Sequence, residues 1–85
     1  MKNPKQKKEF TWAKQGNSYL MTDPETKQMT PIDTISFLVW IQCDGKTSVN
    51  DIVDVFSVDE NTDIIKASVN GILEKLEKKE LITFE

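Results

Sequence analysis

Fourteen carboxylates, eleven basic side chains, one thiol and no imidazole are the groups with which this 85-residue chain could do chemistry. A lone cysteine cannot form an internal disulfide, and without histidine there is neither a Cys/His zinc set nor an imidazole base. Cys43 closes an apolar stretch, so it reads as a small core residue and not as a reactive thiol. The acids are scattered along polar helix faces, and no spacing marks out a pair for acid/base work. Gly45-Lys46-Thr47 resembles the end of a phosphate-binding loop, but the upstream glycine and the preceding strand are missing. No catalytic residues, metal ligands or cofactor are expected, and the chain reads as a binding module that is not an enzyme.

Charge narrows the choice of partner. Eleven basic against fourteen acidic residues give −3, and Lys2, Lys5, Lys7 and Lys8 all precede residue 9, so the rest of the chain is more acidic still. That balance opposes an extended phosphate-tracking surface, because nucleic-acid affinity comes largely from clustered Lys and Arg. The N-terminus lacks the apolar run of roughly 7–15 residues that a signal peptide needs. The longest apolar run, Phe37 to Ile41, is far below the roughly 20 residues of a membrane span. A cytoplasmic chain without membrane or nucleic-acid partners is expected. Residues 1–9 read as a flexible basic tail and residues 10–85 as one domain, since so short a chain cannot build two cores.

The elements that must position any binding surface follow from periodicity. Phe10 and Trp12 alternate with Thr11 as in a half-buried strand, Gln15-Gly16-Asn17 turns, and Tyr19-Leu20-Met21-Thr22 forms a second strand. Asp23-Pro24-Glu25-Thr26 turns again into a third strand, Lys27 to Thr30, which is expected to stop at Pro31 and to lie at a sheet edge with unpaired backbone groups. Thr30 is the expected N-cap of helix one, with Pro31 at its first position and Asp33 completing a capping box.

Helix one, through Ile35 and Phe37 to Ile41, is apolar on more than half its circumference and belongs at the centre. Asp44-Gly45 ends it, and Ser48 with Asp51 caps a second helix carrying Val49, Ile52, Val53 and Phe56 on one stripe. A polar loop, Asp59 to Asn61, leads to a third helix from about Thr62, with Ile65, Val69, Ile72, Leu73 and Leu76 inward. Leu81, Ile82 and Phe84 return to apolar character as a short strand or a packed tail. On a flank of helix three, Ile64, Ser68, Gly71 and Lys75 line up at about 100° per residue. The small side chains there leave either a close internal contact or a trough that admits an extended peptide. The fold expected is α+β: a three-stranded antiparallel meander followed by three α-helices, as in winged helix-turn-helix proteins.

This order of elements, with Phe10 and Trp12, Tyr19-Leu20, the stretch Trp40-Ile41-Gln42-Cys43-Asp44-Gly45-Lys46-Thr47-Ser48-Val49-Asn50-Asp51-Ile52-Val53, and the ending Ile72-Leu73-Glu74-Lys75-Leu76 with Glu80-Leu81-Ile82, resembles the PqqD-like family over about residues 10–84. Members are recognition elements for ribosomally made, post-translationally modified peptides. The resemblance implies a non-catalytic peptide chaperone that takes up the leader segment of a precursor by β-strand addition. It also implies delivery to a separate modifying enzyme, often a radical-SAM protein. By the same resemblance the leader would contact Lys27, Gln28, Met29 and Thr30 on the strand and Ile64, Ile65, Ser68, Val69 and Ile72 on the helix. Departures from the family pattern are the short loop before helix three, and Met21 and Met29 where β-branched residues are expected. A monomer is the default. The alternatives are a winged-helix DNA-binding regulator, against which the exposed acids Asp51 and Asp54 on helix two speak, and a general protein-interaction domain.

Overall fold

The computed structural model describes residues 2–57 and 62–85. Its elements are β1 (Pro4–Gln6), β2 (Thr11–Gln15), β3 (Ser18–Thr22), β4 (Met29–Asp33), α1 (Thr34–Trp40), α2 (Val49–Phe56), α3 (Thr62–Lys78) and β5 (Ile82–Phe84). Strands β2, β3 and β4 form the antiparallel meander, three helices follow, and β1 pairs with β5 in a second, two-stranded sheet. The α+β architecture is the expected one. The polar loop expected at 59–61 lies outside the described residues.

Local chemistry explains each corner. Gly16 takes φ +60° in the two-residue turn between Gln15 and Ser18, the position where a type II′ hairpin takes glycine. The Asp23 carboxylate accepts from the backbone N–H groups of Glu25 (2.8 Å) and Thr26 (3.3 Å), which draws the next turn out by two residues. Lys27 closes that turn at φ +65°, so Lys27 and Gln28 belong to the turn and not, as expected, to the third strand. The strand begins at Met29 and runs straight through Pro31 to Asp33. Pro31 can stay in the ladder because its register partner Leu20 sits at a non-hydrogen-bonded position, so the missing N–H faces away from β3. The expected Thr30 cap with Pro31 at the first helical position is therefore replaced. Asp33 caps α1, its carboxylate accepting from Ser36 N–H at 2.7 Å.

The core lies between the sheet and the helices: Met21 and Ile32 from the meander, Phe37 and Trp40 from α1, Ile52 from α2, Leu73 and Leu76 from α3. Tyr19 stacks on Phe37 with centroids 3.8 Å apart, and Trp12 meets Phe37 edge-on at 4.8 Å. The Trp40 indole N–H donates to Leu81 O at 3.2 Å, tying α1 to the chain entering β5. Ser48 caps α2 as expected, accepting from Asp51 N–H at 3.1 Å.

The N-terminal segment departs most from expectation. Pro4 is fully buried, and the strand it opens is bonded on both sides. Against β5, Asn3 and Glu85 exchange two backbone bonds of 2.6 and 2.8 Å. On the other side Gly45 N–H donates to Pro4 O (2.9 Å) and Gln6 N–H to Cys43 O (2.9 Å). Residues 3–6 are thus part of the fold, and the basic tail expected over 1–9 is corrected to that extent. A lysine-rich segment without an apolar pattern reads as a tail; it is held instead through its backbone, alternate residues of a three-residue strand bonding two neighbours at once. Gly45, at φ +80°, closes this contact: a Cβ there would meet Lys5 Cδ at 3.2 Å. Its positive φ was anticipated, but it serves this close approach, since α1 already ends at Trp40 with Ile41 as C-cap.

Candidate functional site: the open β4 edge and its cleft

Strand β4 is bonded to β3 on one side, and register shows what it offers on the other. Asp23 N–H donates to Gln28 O (2.9 Å), which sets the hydrogen-bonded pairs along the ladder at Asp23/Gln28, Met21/Thr30 and Tyr19/Ile32. Met29, Pro31 and Asp33 occupy the alternate positions and turn their backbone groups outward. The edge accordingly presents Met29 N–H and C=O, Pro31 C=O, and Asp33 N–H. The same parity on β2 turns Trp12 and Lys14 outward at the opposite edge of the sheet.

A cleft of about 290 Å³ adjoins the β4 edge, lined by Pro31, Ile32 and Asp33 on the strand side, Ser18 and Ser36 at its end, and Lys75, Leu76 and Lys79 on the helix side. Lys79 Nζ reaches to 3.5 Å from Pro31 O. The Asp33 carboxyl is held below its ordinary range, first by the Ser36 N–H bond and, more weakly, by the positive fields of Lys75 and Lys79. The cleft therefore has a backbone ladder on one wall, an apolar floor at Ile32 and Leu76, and two ammonium groups on the facing wall. That is chemistry for binding an extended chain.

The residues expected to bind peptide divide into several groups. Met29 is 60% exposed with its backbone outward, and Thr30 is half-buried and bonded inward to Met21. Lys27 and Gln28 sit in the exposed turn that precedes the edge. On α3, Ile64 is 68% exposed and Ser68 exposed, whereas Val69 is 2% exposed and belongs to the core. Ile65 and Ile72 are partly buried against that core. None of these five lines the cleft beside β4, which meets the C-terminal third of α3 instead. Val69 in particular has no surface to offer a partner. Sequence reasoning missed Pro31, Asp33, Ser36, Leu76 and Lys79; the signal was the flank containing Lys75, which one further turn extends to Lys79. Gly71 lies on that flank, and a Cβ there would meet nothing within 4 Å, so the position is open and not a close internal contact.

A second concavity of about 360 Å³ lies among Lys5, Gln6, Lys7, Lys8, Glu9, Cys43 and Asp44. Its cations already face carboxylates: Lys5 with Glu85 (3.2 Å), Lys7 with Glu80 (3.4 Å) and Lys8 with Asp23 (3.0 Å). Burial, and then the neighbouring Asp44 charge, push the Cys43 thiol up to about 12, and its Sγ donates to Val39 O at 3.3 Å. This is an inert thiol, as expected of a core cysteine. Among the described residues no three His, Cys, Asp or Glu side chains gather as a metal site, and no helix is long and apolar enough to cross a membrane.

Fold and site together define a small α+β domain with an open sheet edge flanked by a helix, an arrangement that can accommodate an extended peptide. The match to the family described as coenzyme PQQ synthesis protein D (PqqD), over residues 18–82, assigns the chain more narrowly: it belongs to the PqqD family. Among solved structures it is similar to one described as TbiB1 in complex with the TbiA(beta) leader peptide, at 20% identity, a TM-score of 0.67, and coverage of 92% of this chain and 93% of that one. A search of curated proteins finds no match.

Proposed function

We propose that this domain is a non-catalytic recognition element that binds the leader segment of a ribosomally synthesised precursor peptide by adding it as a strand to the edge of β4. The observation that carries the reading is the outward Met29–Asp33 edge beside the cleft of Lys75, Leu76 and Lys79, in a chain of the PqqD family. Backbone bonds to the edge supply affinity and the cleft supplies selectivity. The structural likeness to a protein solved with a leader peptide supports the same reading.

The domain then acts by delivery. Holding the leader raises the effective concentration of the remaining precursor at a separate modifying enzyme, for which we propose a radical-SAM protein. It works as a cytoplasmic monomer and needs no cofactor of its own. Met29 and Thr30 lie on the binding strand, Lys27 and Gln28 at its entry, and Ile64 and Ser68 on the exposed flank of α3 along which a longer peptide would continue. Ile65 and Ile72 back that flank. A winged-helix role on DNA is disfavoured by α2, whose exposed positions include Asn50, Asp51 and Asp54.

The test is fluorescence polarisation with labelled synthetic peptides tiled across the short reading frames that flank the chain's own gene, with duplex DNA at low salt in parallel. Saturable one-to-one binding of a peptide, competed by its unlabelled form, is expected. Binding of DNA with no peptide bound would overturn the reading.

A further inference from the structure

The middle of the open edge lacks a donor. A strand laid antiparallel on β4 exchanges two backbone bonds with Met29, but opposite Pro31 it can only donate. Its own carbonyl at that position faces a ring with no N–H. A backbone carbonyl left unpaired inside a groove costs about as much as a lost hydrogen bond, so such sites are filled from elsewhere.

The molecule meets the same problem once already. In the contact between β1 and the α1–α2 corner, Gly45 and Pro4 occupy a hydrogen-bonded pair: Gly45 N–H donates to Pro4 O at 2.9 Å, and Pro4 has nothing to return. The orphaned Gly45 O accepts instead from a side chain, Asn3 Nδ2, at 3.2 Å. A polar side chain beside the proline replaces the missing ladder donor.

At β4 the group in the equivalent place is Lys79. Its Nζ stands 3.5 Å from Pro31 O, on the outward side of the strand and within the cleft. In a paired ladder the two bonds of one residue pair are adjacent. Once an incoming N–H takes Pro31 O, the ammonium is a short step from the carbonyl that Pro31 leaves unserved, and it has three donors to give. Building on the leader-binding reading, we propose that Lys79 supplies the ladder donor that Pro31 lacks, completing the hydrogen bonding of a peptide strand added to β4. Two consequences follow for the peptide. The residue opposite Pro31 must itself carry an N–H, so it is not proline, and its carbonyl is read by charge and not by backbone. The proline also leaves the edge incomplete for any strand that does not meet Lys79.

The experiment is a double-mutant cycle read by polarisation, using the peptide found in the tiled screen, on the wild type, K79M, P31A and P31A/K79M, with circular dichroism of each free protein. K79M keeps the aliphatic stem and removes the donors; it should weaken binding about tenfold, the scale of a hydrogen bond from a charged group. K79R should restore most of it. In the P31A background, where residue 31 has its own N–H, K79M should change affinity by less than about threefold. Equal losses in both backgrounds, or no loss with Pro31 present, would overturn the role of Lys79 while leaving leader binding intact. A wild-type domain that binds no peptide would overturn both.

Discussion

Two strands of this fold each carry a proline, and the fold treats them in opposite ways. Around Pro4 every neighbouring backbone group is engaged, by β5 on one side and by the Cys43–Gly45 corner on the other. Around Pro31 one side is engaged by β3 and the other opens on a cleft. The same residue type thus closes one edge into the structure and leaves another incomplete. Edge strands are liabilities that proteins cover, blunt or use. Here β1 is covered, and β4 is kept short and proline-blunted while still offering Met29 and Asp33. The first region should govern stability and the second affinity, and variants that separate those two readouts test the contrast.

The largest effect should come from removing β1. Deleting residues 2–7 abolishes the β1–β5 ladder and, beyond it, five further backbone bonds to the rest of the chain: Asn3 and Glu85 to each other, Gly45 to Pro4, Gln6 to Cys43 and Lys7 to Leu81. At about 1 kcal/mol net each, those five alone approach 5 kcal/mol, which is a large share of the stability of a domain this size. Urea denaturation should show a much lower midpoint or an unfolded protein. A midpoint within experimental error of the full chain would mean that the segment is a solubilising tail after all.

At the open edge the expectation reverses. Met29→Pro removes an outward donor without touching a bond to β3, so the denaturation midpoint should hold while peptide affinity falls at least about tenfold, the cost of one ladder bond together with the ring's bulk. Lys14→Pro makes the equivalent change on β2, the other edge of the same sheet, and should leave affinity unchanged. If Lys14→Pro weakens binding and Met29→Pro does not, the peptide adds to β2 and the cleft along α3 is not the site.

Asn3→Ala sharpens the comparison between the two prolines. It strands Gly45 O beside Pro4 and should lower stability by about 1–2 kcal/mol, the range for a carbonyl that loses its partner. Peptide affinity should not change. The matching loss of Lys79 should do the reverse, because the carbonyl it serves exists only when peptide is bound.

How much of this was legible beforehand depends on what kind of pattern each element rests on. The meander, the three helices, the Ser48 cap and the core stripe of α3 were readable because periodicity and cap chemistry are local. The course of β4 was not: proline reads as a strand stop, and only the register with Leu20 shows that the missing N–H points outward. Strand β1 was invisible for a related reason. Its bonds reach residues 43–45 and 81–85, and charge was the one feature its own sequence displayed. Of the residues expected to touch peptide, Met29 on β4 and Ile64 and Ser68 on α3 lie at the surface. Periodicity placed Val69 inward, where it lies; only the family resemblance put it among the peptide contacts, and its burial leaves it no surface for one. Lys79 was missed because its importance lies in its distance from Pro31, 48 positions earlier in the chain.

The smallest effect expected is on pH dependence, and it compares the ends of the two regions. Asp33 closes β4 and caps α1; Asp44 turns the corner that covers β1, accepting from Lys46 and Thr47 N–H at 2.8 Å each. Both carboxyls are held below the ordinary value of 3.8, chiefly by those backbone donors. A group whose folded pKa is depressed binds its proton more weakly in the folded state than in the unfolded one. Its contribution is therefore complete only above about pH 5 and is lost as pH falls through the unfolded and then the folded value. Stability should accordingly be flat above about pH 5 on account of these groups and decline below it. Asp33→Asn, which keeps an N-cap acceptor, should fold with little loss at pH 7 and show a shallower acid decline. Asp33→Ala removes the cap as well and should cost about 1 kcal/mol at pH 7. An acid decline as steep in Asp33→Asn as in the wild type would place the titrating stability elsewhere, at Asp44 or at Asp23, whose carboxyl is depressed by Glu25 N–H and by Lys8.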